Sequence, residues 1–195
     1  MSTALSMAAF ALATSITPGP VNVVALGAGA RYGLRASLRH VWGATAGFTL
    51  LLLLIGLGLH ELLAQWPVLT LAIRWAGVAF LLYVAWRLAA DDGCIDDTGT
   101  ARGPSLLMGA TMQWLNPKAW LASVAGMGAY AASGDKALVW QFAVIYFVIC
   151  FVSIACWAWA GASLRHAMRE PARVRLVNRS MAGLLAASAL YLSMT

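Results

Sequence analysis

Two short stretches carry residue types able to hold a small polar molecule inside an apolar chain. The first reads "TPGPVN" and supplies Pro18, Gly19, Pro20 and Asn22. The second reads "QWLNPKAW" and supplies Gln113, Asn116, Pro117 and Lys118. A proline has no backbone N–H and clashes with the carbonyl four residues earlier. Pro18, Pro20 and Pro117 therefore leave the carbonyls of Thr14, Ile16 and Gln113 without helical donors. Beyond each break, a new helix starts with free N–H groups and a positive dipole end. Released carbonyls suit an ammonium, and a helix N-terminus beside Lys118 suits a carboxylate. Together they are complementary to a small zwitterion, which is chemistry of binding rather than of bond making.

Each candidate also has a plainer reading. A proline kink serves packing in many membrane helices. The amides of Asn22, Gln113 and Asn116 can cap broken ends instead of reading a ligand. Thr14, Ser15 and Thr17 commonly bond to their own helix backbone. A lysine at mid-membrane costs about 2.5–3.5 kcal/mol on insertion scales. Lys118 therefore either faces a substrate carboxylate, pairs with the freed carbonyls, or extends its stem toward headgroups.

Other polar residues offer less. Arg74 and Arg179 could line a pathway as a pseudo-symmetric pair, although Arg179 sits near a segment start. His40, His60 and Glu61 lie at segment ends, and no Asp or Glu falls at mid-membrane. The usual carboxylate proton carrier is therefore missing. Cys94, Cys150 and Cys156 form no C-x-x-C pair and have no histidines at metal-ligand spacing. "GAGARYG" (27–33) lacks the dinucleotide spacing and any βαβ setting. No metal, cofactor or catalytic set is expected, so the chain does not read as an enzyme.

The elements that must position the two stretches follow from composition. The 195 residues are 62% hydrophobic and 10% charged, with a mean hydropathy of +0.78. Soluble domains carry roughly 25% charged residues, so the chain reads as an integral membrane protein. Its net charge of +6 comes from basic residues in short loops, which lipid headgroups and topology explain better than nucleic acid. A spanning helix needs roughly 20 apolar residues. Six segments qualify, at about 3–30, 37–60, 67–90, 105–130, 137–164 and 174–194. Short loops make residues 1–195 a single transmembrane domain. The first segment lacks the basic start of a signal peptide.

Basic residues set the orientation. Arg31, Arg35, Arg39, Arg87, Arg102, Arg165, Arg169, Arg173, Arg175 and Arg179 mark one side, against Lys136 on the other. Three loops thus face the cytoplasm, and both termini are expected outside. "GATAG" (43–47) suits helix packing within the chain or between subunits, which leaves a homo-oligomer open. Trp42, Trp66 and Trp140 at segment ends fit an interfacial belt.

Shifted by 99 residues, "TPGPVNVVALGAG" (17–29) lies over "NPKAWLASVAGMG" (116–128). Pro18 meets Pro117, Gly27 meets Gly126 and Gly29 meets Gly128. The chain divides into repeats of about 1–97 and 98–195, each with three segments. An odd number of spans inverts the second repeat, as in many secondary transporters with broken helices at a central site. The expected fold is all-α, with six transmembrane helices as two inverted three-helix repeats.

The stretches 17–48 and 113–120, with the closing run 159–191, resemble the LysE/RhtB (lysine exporter and threonine/homoserine exporter) family of bacterial amino-acid efflux proteins. That resemblance implies export of a small amino acid or related metabolite across the bacterial cytoplasmic (inner) membrane, coupled to the proton gradient. Relatives often read Pro-Gly-Pro-Asn, whereas here Val21 follows the motif and Asn22 comes next. A channel for a small solute or ion, an intramembrane enzyme and a non-transporting assembly subunit are the alternatives.

Overall fold

The computed structural model describes residues 2–59, 65–92, 103–132, 135–164 and 171–194. Those residues form helices and connections and contain no strand. The elements are α1 (Thr3–Ile16), α2 (Pro20–Leu54) with a π turn at Ile55–Leu59, α3 (Pro67–Ala89), α4 (Leu106–Trp114), α5 (Pro117–Tyr130), α6 (Lys136–Ser163) and α7 (Pro171–Met194). Prolines open α2, α3 and α5 at the position where a missing N–H costs nothing. Ser2, Ser105, Asn116 and Asp135 cap α1, α4, α5 and α6 through side-chain oxygens.

The six apolar segments fall on these helices. Segment 3–30 covers α1 and the start of α2, and 105–130 covers α4 and α5. Where the sequence suggests a loop around Arg31, Arg35 and Arg39, the chain instead turns at one residue. Gly33 takes φ 79 and ψ 168, and helix continues on both sides. Only glycine occupies that backbone region readily. Among the described residues, two helical stretches are long and apolar enough to cross a bilayer by themselves, Pro20–Leu59 and Lys136–Ser163. His60, Glu61, Cys94, Arg102, Arg165 and Arg169 lie outside the described residues.

The main core joins α1, α2, α4, α5 and α6 around Phe48, Met112, Phe142 and Tyr146. Phe48 and Tyr146 stack with ring centres 4.3 Å apart. Helix α1 packs on α6, while α4 packs on α2. In that second contact a Cβ at Gly43 would overlap the Leu106 backbone, and one at Gly109 would overlap the His40 carbonyl. Gly47 lies against Ala110 in the same way. The "GATAG" motif therefore packs within the chain. A second core pairs α3 with α7 through Leu81, Val84, Ala85, Ala182 and Leu185.

Helix α6 shows how the bundle is oriented by its solvent. Tyr146, Cys150 and Ser153 point inward, whereas Trp140, Val144, Val148, Val152 and Trp159 are exposed. Both sets recur at roughly helical spacing. Bare aliphatic side chains outside and hydroxyls inside reverse the pattern of a water-soluble helix. The outward stripe is a surface for lipid.

Candidate functional site

The site begins with two interruptions of helix. Helix α1 stops at Ile16, and Thr17 is extended at φ −64 and ψ 142. A residue before proline is pushed out of the helical region by the proline ring. Gly19 is also extended, and α2 restarts at Pro20. The second interruption follows the same logic, with Asn116 at φ −95 and ψ 110 before Pro117.

Carbonyls released at the interruptions find side-chain donors. Asn22 Nδ2 donates to the Ser15 oxygen at 2.8 Å and to the Thr17 oxygen at 2.9 Å. Trp157 Nε1 donates to the Ile16 oxygen at 3.0 Å. At the other break, Trp120 Nε1 donates to the Trp114 oxygen at 2.8 Å. Thr17 Oγ1 reaches back to the Thr14 oxygen at 3.2 Å. Such pairing meets the requirement that backbone groups be satisfied where water is absent.

Lys118 joins the two breaks. Its Nζ lies 2.8 Å from the Thr17 carbonyl oxygen, 2.6 Å from Thr17 Oγ1 and 3.4 Å from the Pro18 carbonyl oxygen. The lysine thus pairs with freed carbonyls, one of the three readings open at the sequence level. Its own backbone N–H donates to Asn116 Oδ1 at 3.1 Å.

Between the breaks lies a cavity of about 40 Å³, room for roughly three water molecules. Gly19, Asn22, Gln113, Asn116 and Lys118 line it. Pro18, Pro20 and Pro117 do not, although the Pro18 carbonyl faces Lys118. Val21, which takes the place where relatives often carry asparagine, is also part of the lining. Asn22, Gln113 and Asn116 are buried.

Helix α6 completes the wall with Tyr146, Cys150 and Ile154. Tyr146 belongs to no local motif and Cys150 to no C-x-x-C pair, so neither stands out in the sequence. Their signal was the inward stripe of Phe142, Tyr146, Cys150 and Ser153, spaced by three or four residues. Tyr146 Oη and Thr14 Oγ1 are 2.7 Å apart, and Thr14 also donates to the Phe10 oxygen at 2.7 Å. Ser15 Oγ, Thr45 Oγ1 and Ser153 Oγ are buried without a hydrogen-bond partner.

Three other polar sites depart from expectation or add to it. His40, near the start of the second segment, is fully buried, with Nε2 3.3 Å from the Val21 oxygen. Arg74 lines neither cavity described here, because its Nη2 donates to the Ser193 oxygen at 3.3 Å near the end of α7. A larger cavity of about 450 Å³ lies between α2, α3 and α7. At its rim Arg31 pairs with Asp91 at 3.1 Å.

A helical bundle with an aliphatic exterior and its polar groups gathered at two internal helix breaks is a membrane protein. Its family is also clear: the LysE type translocator family matches residues 12–195, and the chain belongs to it. Similar proteins include the cysteine/O-acetylserine efflux proteins of Salmonella choleraesuis strain SC-B67, Salmonella typhimurium strain LT2 and Escherichia coli strain K12. Each is 28% identical over 166 residues, covering 84% of this chain and 85% of the relative. No solved structure matches.

Proposed function

We propose that the chain is a secondary transporter exporting a small amino acid across the bacterial cytoplasmic membrane, with its substrate held between the two helix breaks. The observation that carries this reading is Lys118, which lines the polar cavity and reaches from the second break to Thr17 in the first. In this reading Lys118 and the N-terminal end of α5 attract the substrate carboxylate, and the carbonyls of Thr17 and Pro18 receive its ammonium. Asn22, Gln113 and Asn116 frame it, while Pro18, Gly19, Pro20 and Pro117 keep the backbone open.

The small cavity and the named activity of the relatives favour a short polar side chain, with cysteine and O-acetylserine as first candidates. Six spans in two inverted repeats would let one half rock against the other. Reciprocal packing supports that plan: α1 of the first half lies on α6 of the second, and α4 of the second lies on α2 of the first. The proton gradient would drive export, and both termini would lie outside the cytoplasm.

Proteoliposomes loaded in turn with labelled cysteine, O-acetylserine, threonine, homoserine and lysine test the reading. We expect saturable efflux of a short-chain class, faster under an imposed proton gradient and lost in Lys118→Ala. Efflux that rises linearly with concentration would point to a channel. No efflux of any amino acid by inserted, folded protein would overturn the substrate class.

A further inference from the structure

Lys118 presents its ammonium to three oxygens of the first break: the Thr17 carbonyl, the Thr17 hydroxyl and the Pro18 carbonyl. A primary ammonium has three N–H donors, so its capacity equals this set of acceptors. The acceptors are free because Thr17 and Gly19 are extended, so the helical ladder is interrupted between α1 and α2. The Thr17 carbonyl also accepts from Asn22, which leaves that oxygen no room for a second cation beside Lys118.

The cradle holds the lysine by dipoles alone. None of the residues lining the cavity is Asp or Glu. With no fixed anion to define a permanent ion pair, the oxygens distinguish poorly between Lys118 and another primary ammonium. Gly19 flanks the stem without a side chain, and a Cβ there would touch Lys118 Cδ and Nζ at 3.5 Å. Lys118 and Gly19 also line the cavity, and the exposed oxygens of Thr17 and Pro18 lie beside it rather than in its wall.

We propose that Lys118 is a built-in stand-in for the substrate's ammonium group. In the empty protein it fills the cradle of Thr17 and Pro18. An incoming amino acid places its own ammonium on those oxygens, and the displaced Lys118 turns to the substrate carboxylate. The exchange forms and breaks hydrogen bonds only, and the positive charge on the cradle stays at one. This inference rests on the amino-acid reading above and extends it: a primary ammonium becomes a requirement of the substrate. N-acylated amino acids are excluded because they lack the three donors.

Chemical rescue tests the cradle without any transport measurement. Lys118→Ala removes three methylenes and an ammonium, which are the parts that propylammonium returns. In detergent, we expect propylammonium to raise the unfolding temperature of Lys118→Ala saturably and to leave wild type unchanged. Tetramethylammonium, which has no N–H, and sodium at equal ionic strength should not reproduce the rise. Adding Thr17→Val, which deletes one acceptor, should weaken the propylammonium response at least about tenfold. Lys118→Met gives a second route if the alanine variant does not fold. It keeps most of the stem, so the ammonium ion should stabilise it and propylammonium should not.

An equal response of wild type and variant, no response in either variant, or sodium acting as well as the amine would overturn the proposal. Rescue by amines together with a negative transport panel would keep the cradle and refute amino-acid export. Saturable amino-acid efflux without amine rescue would do the reverse.

Discussion

Tyr146 Oη and Thr14 Oγ1 lie 2.7 Å apart although 132 residues separate them in the chain. The contact pins the last turns of α1 to α6 beside the cavity. Tyr146→Phe removes a hydroxyl and keeps the ring stacked on Phe48. A net loss of about 1 kcal/mol is expected, typical of one hydrogen bond. Thr14→Val should cost a similar amount, and the double variant less than the sum of the two. Denaturant unfolding of the four proteins measures this coupling directly.

Asn22 is expected to be a structural clamp as well as part of the lining. Its amide donates to two carbonyls that the break leaves exposed. Asn22→Asp replaces that donor with an acceptor facing two acceptors, so it should destabilise more than Asn22→Ala. A loss of about 1–3 kcal/mol is expected for the alanine variant. Thermal unfolding of both variants checks the order, and an aspartate variant as stable as wild type would contradict it.

The contact between α2 and α4 sets a sharp contrast among glycines. Gly43→Ala and Gly109→Ala place a methyl group on the opposing backbone and should cost about 1–3 kcal/mol or more. Gly128 and Gly183 have open space around the added carbon. Alanine at either should be neutral or stabilise by up to about 1 kcal/mol through helix propensity. Yield and unfolding temperature of the four variants will show whether the two groups separate.

Gly33→Ala should be harmful for a different reason. There is open space around that position, yet its φ of 79 disfavours any side chain. A cost of about 1–3 kcal/mol is expected from backbone strain alone. A variant with unchanged stability would mean that the chain can turn here in another way.

Much of the helix layout was legible in the sequence, because prolines and apolar runs act locally. Both breaks were placed by Pro18, Pro20 and Pro117, and apart from these breaks the described parts of the six apolar segments are largely helical. The turn at Gly33 was not legible, since one glycine in "RYGLR" resembles any other until its φ is known. The full burial of His40 was not legible, because position along a segment does not tell which face of the helix packs against its neighbours. The placement of Tyr146 and Cys150 on the cavity wall was not legible for another reason. An apolar helix in lipid has no polar face, so its inward side must be read from small or hydroxylated residues. The choice of Lys118 among its three readings depended on a contact across 101 residues, which no local rule supplies.

The cation held at the first break also bears on what the unloaded protein can do. A carrier whose vacant site exposes bare carbonyls to an apolar medium is held back from reorienting until another substrate arrives, and such a carrier swaps molecules one for one. Here Lys118 supplies the missing donors itself. If the chain exports amino acids as proposed, the vacant form would return on its own, and repeated cycles would lower the pool inside the cell instead of merely mixing it with the pool outside.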